Sequence, residues 1–240
     1  MRILITNDDS ISSSVLAPLA KWASAFGEVT VVVPKVEQSA KSHGIQIHNS
    51  FEIKKVDLLP GVEAYTVDST PADCVRVAYS YLKKEFDLVI SGINRGLNIG
   101  QDIIYSGTVA AIMEASYHNV CAVALSTEPA TFDVALEQLD NVRDFFIKHD
   151  LFGKYKIYNV NIPLTVKGFK FTRQGGPYFS DEFIPEGNDM FRPTGHCIFE
   201  DSHNDELDTD ATLHGYISVT PMVVDRTNLV VLKQLQNEVL

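Results

Sequence analysis

The chain has 240 residues, of which 45% are apolar and 21% charged, and its formal net charge is −11. This balance is typical of a soluble globular protein, and so acidic a surface excludes nucleic-acid polymers as expected partners. No apolar run approaches the roughly 20 residues that span a bilayer, and acidic residues follow the N-terminus too closely for a signal peptide, so no membrane association is expected. The three cysteines form no CxxC pair, which favours a reducing compartment, and we expect a cytoplasmic location.

The first two thirds of the chain alternate apolar runs with amphipathic segments. Continuous apolarity predicts buried parallel strands at residues 2–6, 29–33, 87–91, 120–126 and 156–162. Helical spacing and start signals, among them Thr70 as N-cap before Pro71, predict helices at residues 15–26, 70–83, 108–118 and 132–146. Residues 45–56 alternate and predict an antiparallel excursion. Strands alternating with helices in this way predict a three-layer α/β fold.

The rest of the chain has a different character. Residues 163–210 are rich in glycine, proline, aspartate and asparagine, with aromatic residues between them and no clear period. So long an irregular stretch is uncommon inside a compact domain, which favours an arm that packs on a partner or covers the site. A strand is predicted at 215–221 and a final helix at 229–239. We therefore expect one domain with a core (1–162), an irregular oligomerisation arm (163–210) and a C-terminal strand and helix (211–240).

Two polar motifs follow the first two strands. Asp8 and Asp9 stand at the carboxyl end of the first strand, which is where open α/β sheets bind ligands. Adjacent carboxylates repel each other unless a cation is bound, and hard ions such as Mg²⁺ prefer oxygen ligands, although the same residues also suit a turn. Ser39 follows the second strand and is expected at the same edge of the sheet. Taken alone, its loop is explained more simply as a solvated connection.

The glycine-rich segment after the third parallel strand carries the strongest signal. Glycine recurs at Gly92, Gly96 and Gly100, and glycines allow the backbone to approach a ligand closely. Asn94 and Asn98 lie between them and offer amide groups to a cation or an anion. The segment ends in Ser106-Gly107-Thr108, which opens a helix whose free amide groups and dipole favour phosphate. Neither a Walker A loop nor a GxGxxG fingerprint is present.

Together and in this order, these motifs resemble the SurE family of survival-protein nucleotidases. The matching stretches are ITNDD (5–9), QS (38–39), TPADCV (70–75), SGINRGLNIG (91–100), YSGTV (105–109), NVNIP (159–163) and GYISVTP (215–221). The resemblance implies a Rossmann-like three-layer α/β/α sandwich with a mostly parallel sheet and a C-terminal extended arm. It also implies dimers that exchange C-terminal segments, sometimes assembled into tetramers. Three positions at which the family usually has glycine are Ser10, Ala40 and Ala115 here.

The resemblance further implies a divalent-metal-dependent phosphatase that acts on nucleoside monophosphates. The positions that match the family's metal ligands are Asp8, Asp9, Ser39 and Asn94. Those that match its phosphate pocket are Asn98, Ser106, Gly107 and Thr108. We therefore predict a 5'-nucleotidase with one Mg²⁺ or Mn²⁺ per subunit, in which metal-activated water attacks and Asp8 or Asp9 orients that water or takes its proton.

Two other hypotheses belong to different functional classes. The chain could be a non-catalytic phosphate- or nucleotide-binding module of the receiver type, because such modules also place an acidic pair after the first strand. Its length, about twice what such a module needs, and its second anion-binding motif argue against this. The chain could also be an assembly protein that has lost activity, but all four proposed metal ligands are retained.

Overall fold

The structure is a computed structural model that describes residues 1–238. Eleven strands are found in this part of the chain: β1 (Arg2–Thr6), β2 (Glu28–Pro34), β3 (Ile53–Val56), β4 (Glu63–Val67), β5 (Leu88–Arg95), β6 (Cys121–Thr127), β7 (Ile157–Ile162), β8 (Gly168–Phe171), β9 (Glu182–Gly187), β10 (Met190–Thr194) and β11 (Tyr216–Pro221). Nine of them form one sheet in the order β3-β4-β2-β1-β5-β6-β7-β11-β8, and β9 pairs with β10 in a separate hairpin. Only β3 with β4 and β7 with β11 are antiparallel in the large sheet.

The helices lie between these strands in the chain, except for the last one, which follows β11. They are α1 (Leu16–Ala23), α2 (Pro71–Arg76), α3 (Gly107–Ser116), α4 (Asp133–Lys148), α5 (Leu151–Lys154), α6 (Asp208–Leu213) and α7 (Leu229–Glu238). A π-helical turn at Val77–Tyr81 continues α2, and a 3-10 helix at Gly100–Tyr105 precedes α3. Within residues 1–238, no helix combines the length and the apolarity needed to cross a bilayer.

Side chains of β1 alternate between two hydrophobic clusters, one on each face of the sheet. Ile3 and Ile5 belong to the cluster that contains the buried faces of α1 and α4. Leu4 belongs to the other cluster, with Val75 of α2 and Ile112 of α3. Because a strand's side chains point alternately to opposite faces, this pattern places helices on both sides of the sheet. The predicted three-layer α/β/α sandwich with a mostly parallel sheet is confirmed.

The strands and helices predicted for the core are found close to their expected bounds. The start of α2 is as predicted, since the Thr70 hydroxyl accepts a hydrogen bond from the Asp73 amide at 3.2 Å. The antiparallel excursion is shorter than expected, because only β3 is a strand within residues 45–56. β4 was not predicted, because its sequence EAYTV mixes polar and apolar residues although it pairs in parallel with β2.

The segment from 163 to 210 is more regular than the sequence analysis expected. β8 joins the edge of the large sheet beside β11, and β9 and β10 form a hairpin whose residues are all exposed. The last residues of this segment begin α6, which is buried. The prediction of irregular structure is therefore wrong for these elements. Their residues lack a strong period because few of them face the core. The end of the predicted final helix, residue 239, lies outside the described residues.

Candidate active site

The predicted functional residues meet at one edge of the sheet. β1 lies between β2 and β5, so the chain adds strands on opposite sides of β1, and the loops that leave these strands separate there. Open α/β sheets bind ligands in the crevice that forms at such a point. A cleft of about 550 Å³ occupies this position, and its lining includes six of the eight predicted residues: Asp8, Asp9, Ser39, Asn94, Asn98 and Ser106.

The buried carboxylate of Asp8 is held in place by helix α3. Its side chain accepts a hydrogen bond from the Thr108 hydroxyl, with 2.6 Å between Oγ1 and Oδ1. Burial raises the pKa of Asp8 to about 6, and the Thr108 hydrogen bond opposes that rise. A carboxylate in this position is costly in its charged form unless a cation compensates it.

Asp9 is less deeply buried and is oriented by the backbone of β5. The amide of Arg95 donates to its Oδ2 at 3.0 Å. Burial also raises the pKa of Asp9, and this hydrogen bond opposes the effect. Asp8, Asp9, Glu37 and Asp102 line the cleft against one basic residue, Arg95, so the cleft is electrostatically suited to a cation.

The strand β5 is longer than predicted, and this extension positions Asn94. It continues past Ser91 to Arg95, with a register shift relative to β6 that sets Asn94 opposite Ser126. Gly92 makes the shift feasible, because its φ is +130° and a Cβ there would lie 2.3 Å from the carbonyl oxygen of Leu125. The Asn94 amide nitrogen donates to the Gly96 carbonyl at 2.8 Å, so Oδ1 is the atom suited to a cation.

The loop with Ser39 is tied to the same edge by backbone contacts. The Gln38 amide donates to the Asp8 carbonyl at 2.8 Å, and the Ser42 amide donates to the Tyr105 carbonyl at 3.0 Å. The Ser39 hydroxyl donates to Glu37 Oε1 at 2.6 Å, which leaves its lone pairs to accept or to ligate.

Two residues beside the proposed ligands have left-handed backbone conformations. The φ of Ser10 is +70° and that of Ala40 is +58°. A residue with a Cβ costs roughly 1–2 kcal/mol in this region, which explains why glycine suits both positions in the family that the sequence resembles. At Ser10 the loop is supported by the Asn7 side-chain amide, which donates to the Ser10 carbonyl at 2.9 Å.

Asn98 is held by a polar network that reaches across the sheet. Its amide donates to Asn161 Oδ1 at 2.8 Å, and its carbonyl accepts from the side chains of Asn159 and Asn161. Its own side-chain nitrogen donates to Ser126 Oγ at 2.8 Å. The roles of Asn159 and Asn161 were not predicted from the sequence. The available signal was two asparagines at alternate positions of the buried strand β7.

The start of α3 serves the cleft in two ways. Ser106 lines the cleft and also caps the helix, since its hydroxyl accepts from the Val109 amide at 3.1 Å. Gly107 and Thr108 are not among the lining residues and instead lie against Asp8. A Cβ at Gly107 would lie 3.2 Å from the Asp8 Cβ, so glycine lets the helix approach this carboxylate. The predicted contacts of Gly107 and Thr108 with phosphate remain predictions.

Several residues of the cleft were missed by sequence reasoning. They come from four separate segments of the chain and are Ser12, Ser13, Ser14, Glu37, Ala40, Arg95, Asp102, Tyr105 and Phe132. Arg95 and Tyr105 lie within motifs that were recognised, so their positions carried a signal. Phe132 immediately precedes α4, and only the tertiary structure brings it to the cleft.

Comparisons with known proteins agree on one family. A family model described as "Survival protein SurE" matches residues 3–181. The chain is 37% identical to the 5'-nucleotidase SurE of Clostridium botulinum (strain 657 / Type Ba4), over 98% of this chain and 97% of that protein. It is 36% identical to the 5'-nucleotidase SurE of Thermosipho melanesiensis, over 98% and 96%. The crystal structure of the SurE protein from Aquifex aeolicus superimposes with a TM-score of 0.76 at 30% identity, covering 99% of both chains.

Proposed function

The chain belongs to the SurE family, and from this premise we propose that it is a 5'-nucleotidase that hydrolyses nucleoside 5'-monophosphates to nucleoside and phosphate. The observation that carries the proposal is the convergence of the acidic pair, the Ser39 loop, the glycine-rich loop and the α3 N-terminus on one cleft. The relatives named 5'-nucleotidase SurE align over nearly the whole chain, which argues against a non-catalytic receiver-like module.

We further propose that one divalent ion per subunit, Mg²⁺ or Mn²⁺, is held by Asp8, Asp9, Ser39 and Asn94. These side chains supply carboxylate, hydroxyl and amide oxygens, the donors that hard divalent ions prefer. The buried Asp8 carboxylate has the Thr108 hydroxyl as its side-chain partner and no basic side chain bonded to it within the described residues. A cation is therefore what the donor set and the burial of Asp8 both favour.

Asp8 and Asp9 have different roles in this proposal. When bound, the ion supplies positive charge that polarises the phosphoryl group and favours the loss of a proton from water. Asp8 is buried and fixed by Thr108, which suits a ligand that does not move. Asp9 is the more exposed of the pair and is steadied by the Arg95 amide, which suits a group that orients water or accepts its proton.

The phosphate is bound by neutral donors in this proposal. The first amide groups of α3 and the helix dipole stabilise negative charge on phosphate oxygens, and Asn98 lines the same cleft. The backbone of Asn98 is clamped by Asn161 from both its amide and its carbonyl. A donor that is fixed before the reaction costs no reorganisation in the transition state.

We also propose a cytoplasmic homodimer, or a tetramer built from two such dimers, formed by exchange of C-terminal segments. Large apolar side chains are exposed on the β9–β10 hairpin, where Phe183 is 66% and Phe191 57% exposed. The exposed side chains of α7 include Leu229, Val230 and Leu235. Exposed apolar patches of this kind mark interfaces, and exchanging a segment between identical chains is a low-cost way to cover them. The three free cysteines favour a reducing compartment.

The test is phosphate release from a panel of nucleoside 5'-monophosphates by protein treated with EDTA and then given back Mg²⁺ or Mn²⁺. Turnover that vanishes with chelation and returns with one of the ions is the expected result. The same panel of nucleoside 3'-monophosphates measures selectivity for the 5' position. Equal turnover in excess EDTA contradicts the metal, and the absence of turnover with either ion contradicts the nucleotidase.

A further inference from the structure

Two histidines and two aspartates form a compact cluster outside the cleft. The cluster lies where the loop at residues 201–205 meets the carboxyl end of α6. His214 approaches Asp205 Oδ1 through Nδ1 at 2.7 Å and Asp201 Oδ2 through Nε2 at 3.0 Å. His203 Nδ1 lies 3.0 Å from the same oxygen of Asp201. One ligand atom each from Asp201, His203 and His214 therefore lies within 4.8 Å of the others.

The backbone of this loop is fixed from below by a buried carboxylate. Asp210 Oδ1 accepts hydrogen bonds from the Ser202 amide at 2.8 Å, the Ser202 hydroxyl at 2.7 Å and the Asn204 amide at 3.2 Å. The two amides flank His203 in the chain. The Asp210 carbonyl also accepts from the His214 amide at 2.8 Å, so one residue anchors both histidines. The cluster is thus held together by the fold as well as by its own ion pairs.

The chemistry of the cluster suits a borderline transition metal. A neutral imidazole has one donor nitrogen and one acceptor nitrogen. If neutral His214 carries its proton on Nδ1 and donates a hydrogen bond to Asp205, the lone pair of Nε2 faces the carboxylate oxygen of Asp201. Two acceptors then oppose each other. Either a second proton on the ring, which then donates to both carboxylates, or a metal cation between the two atoms removes this conflict. A carboxylate bound to the other ring nitrogen is the arrangement that orients metal-ligating histidines in proteins.

The distances fit the same interpretation. Ligand atoms 2.0–2.1 Å from a tetrahedral zinc ion are separated from one another by about 3.3 Å. The two nitrogen-to-oxygen separations here are 3.0 Å, so a small outward movement of exposed side chains creates the required space. His203 is 84% exposed at its side chain and is free to make that movement. Two nitrogens and one carboxylate oxygen favour Zn²⁺, Co²⁺ or Ni²⁺ over Mg²⁺.

We propose that Asp201, His203 and His214 form a second metal site, specific for a Zn²⁺-like ion, with Asp205 orienting His214. None of these residues lines the cleft that is proposed for the nucleotidase reaction. The site is structural in this proposal. α6 begins at Asp208, whose carboxylate accepts from the Gly100 amide at 3.0 Å and the Gly175 amide at 2.8 Å. An ion at the carboxyl end of α6 would stabilise the contacts that the start of this helix makes with Gly100 and Gly175.

The test is Zn²⁺ binding to the untagged chain, measured by calorimetry in the presence of excess Mg²⁺ to saturate the cleft. The background variant Asp8→Asn with Asp9→Asn removes the proposed cleft ligands, and we expect it to bind one Zn²⁺ per chain as wild type does. In wild type, Co²⁺ should give the visible absorption of a site with nitrogen ligands, and Zn²⁺ should raise the unfolding temperature.

The decisive variant is His203→Gln. Because the His203 side chain is exposed, we expect the variant to fold, which circular dichroism verifies. We expect it to weaken Zn²⁺ binding at least tenfold and to abolish the thermal shift, with nucleotidase turnover unchanged. Asp205→Asn should also weaken binding, by about 10- to 100-fold as for other residues that orient a ligand. His196→Gln is the matched control, since His196 pairs with Glu182 outside the cluster. Unchanged affinity in His203→Gln, or no Zn²⁺ binding by wild type, would show that the cluster is only a set of ion pairs.

Discussion

The sheet edge with the cleft and the β9–β10 hairpin follow opposite rules of burial. At this sheet edge, polar side chains such as Asp8, Ser91 and Asn161 are buried, and hydrogen bonds within the chain hold Asp8 and Asn161 in place. At the hairpin, aromatic side chains such as Phe183 and Phe191 are exposed. In the first region, burial of polar groups reduces stability but holds those groups in position for a ligand. The hairpin exposes apolar surface that the rest of residues 1–238 leaves uncovered. This difference in burial is what our proposals rest on: a small ligand in the cleft and another protein surface on the hairpin.

The largest expected effect is at the cleft, from Asp9→Asn. It removes one charge of the acidic pair and the proposed proton acceptor, and general-base effects lie between about 10² and 10⁴ in rate. We expect kcat/KM to fall roughly a thousandfold with the fold intact, because the polar edge is held by many other contacts. Phosphate release and circular dichroism measure the two quantities. Asp57→Asn, at an exposed residue with no assigned contact, is the control. Full turnover by Asp9→Asn contradicts the role given to this carboxylate.

The next effect concerns the hairpin. Replacing residues 181–194 with a short glycine-serine link is feasible, because Ser180 and His196 are joined by a backbone hydrogen bond of 2.9 Å. We expect the oligomer to become monomeric while the unfolding of the core is unchanged. Light scattering gives the mass. Phe183→Ser with Phe191→Ser should weaken assembly in the same direction, since each buried phenylalanine contributes about 1.5–3 kcal/mol. An unaltered mass in both variants would place the interface elsewhere.

The junction of the two regions gives a smaller, pH-dependent effect. Burial raises the pKa of Asp208 from 3.8 to about 6. Because the folded state then binds this proton more tightly than the unfolded state, stability decreases as pH rises from about 4 to 6 and does not recover above 6. Asp208→Asn cannot ionise but retains an oxygen for the Gly100 and Gly175 amides. We expect it to remove a loss of up to about 3 kcal/mol between these pH values.

Urea unfolding of wild type and Asp208→Asn at both pH values checks this, with EDTA present throughout. Asp8 contributes a loss of the same sign in the metal-free protein, so the difference between wild type and variant is the informative quantity. A pH dependence that is identical in the two proteins would show that Asp208 remains charged across this range.

The smallest effect sharpens the description of the cleft itself. Thr108→Val removes the hydroxyl that donates to Asp8. A hydrogen bond to a charged group contributes roughly 1.5–3 kcal/mol, so we expect kcat/KM to fall about 10- to 100-fold and metal affinity to fall with it. Thr108→Ser keeps the hydroxyl and should retain most activity. Competitive inhibition by inorganic phosphate at a saturating metal concentration distinguishes the roles: an unchanged inhibition constant in Thr108→Val assigns the hydroxyl to Asp8, and a weakened one assigns it to phosphate.

Much of the core was predictable because its signals are local. The buried strands β1, β2, β5, β6 and β7 are continuous apolar runs, and the start of α2 is encoded by Thr70 and Pro71, which are adjacent. The motifs Asn7-Asp8-Asp9 and Ser106-Gly107-Thr108 were recognisable for the same reason. Where the local signal is weak, as in the mixed sequence of β4 or the exposed hairpin, the prediction was absent or wrong.

The sequence by itself determined the layers of the core, the edge at which the candidate site residues meet and the family to which the motifs point, since periodicity and short motifs depend on neighbouring residues. Only the tertiary structure decided which atoms meet. The Thr108 hydroxyl reaches Asp8 across 100 residues of chain, and the Gly100 amide reaches Asp208 across 108. His203 and His214 come together because Asp210 anchors both. Such contacts depend on how the chain crosses the sheet, and a linear pattern of polarity does not encode them.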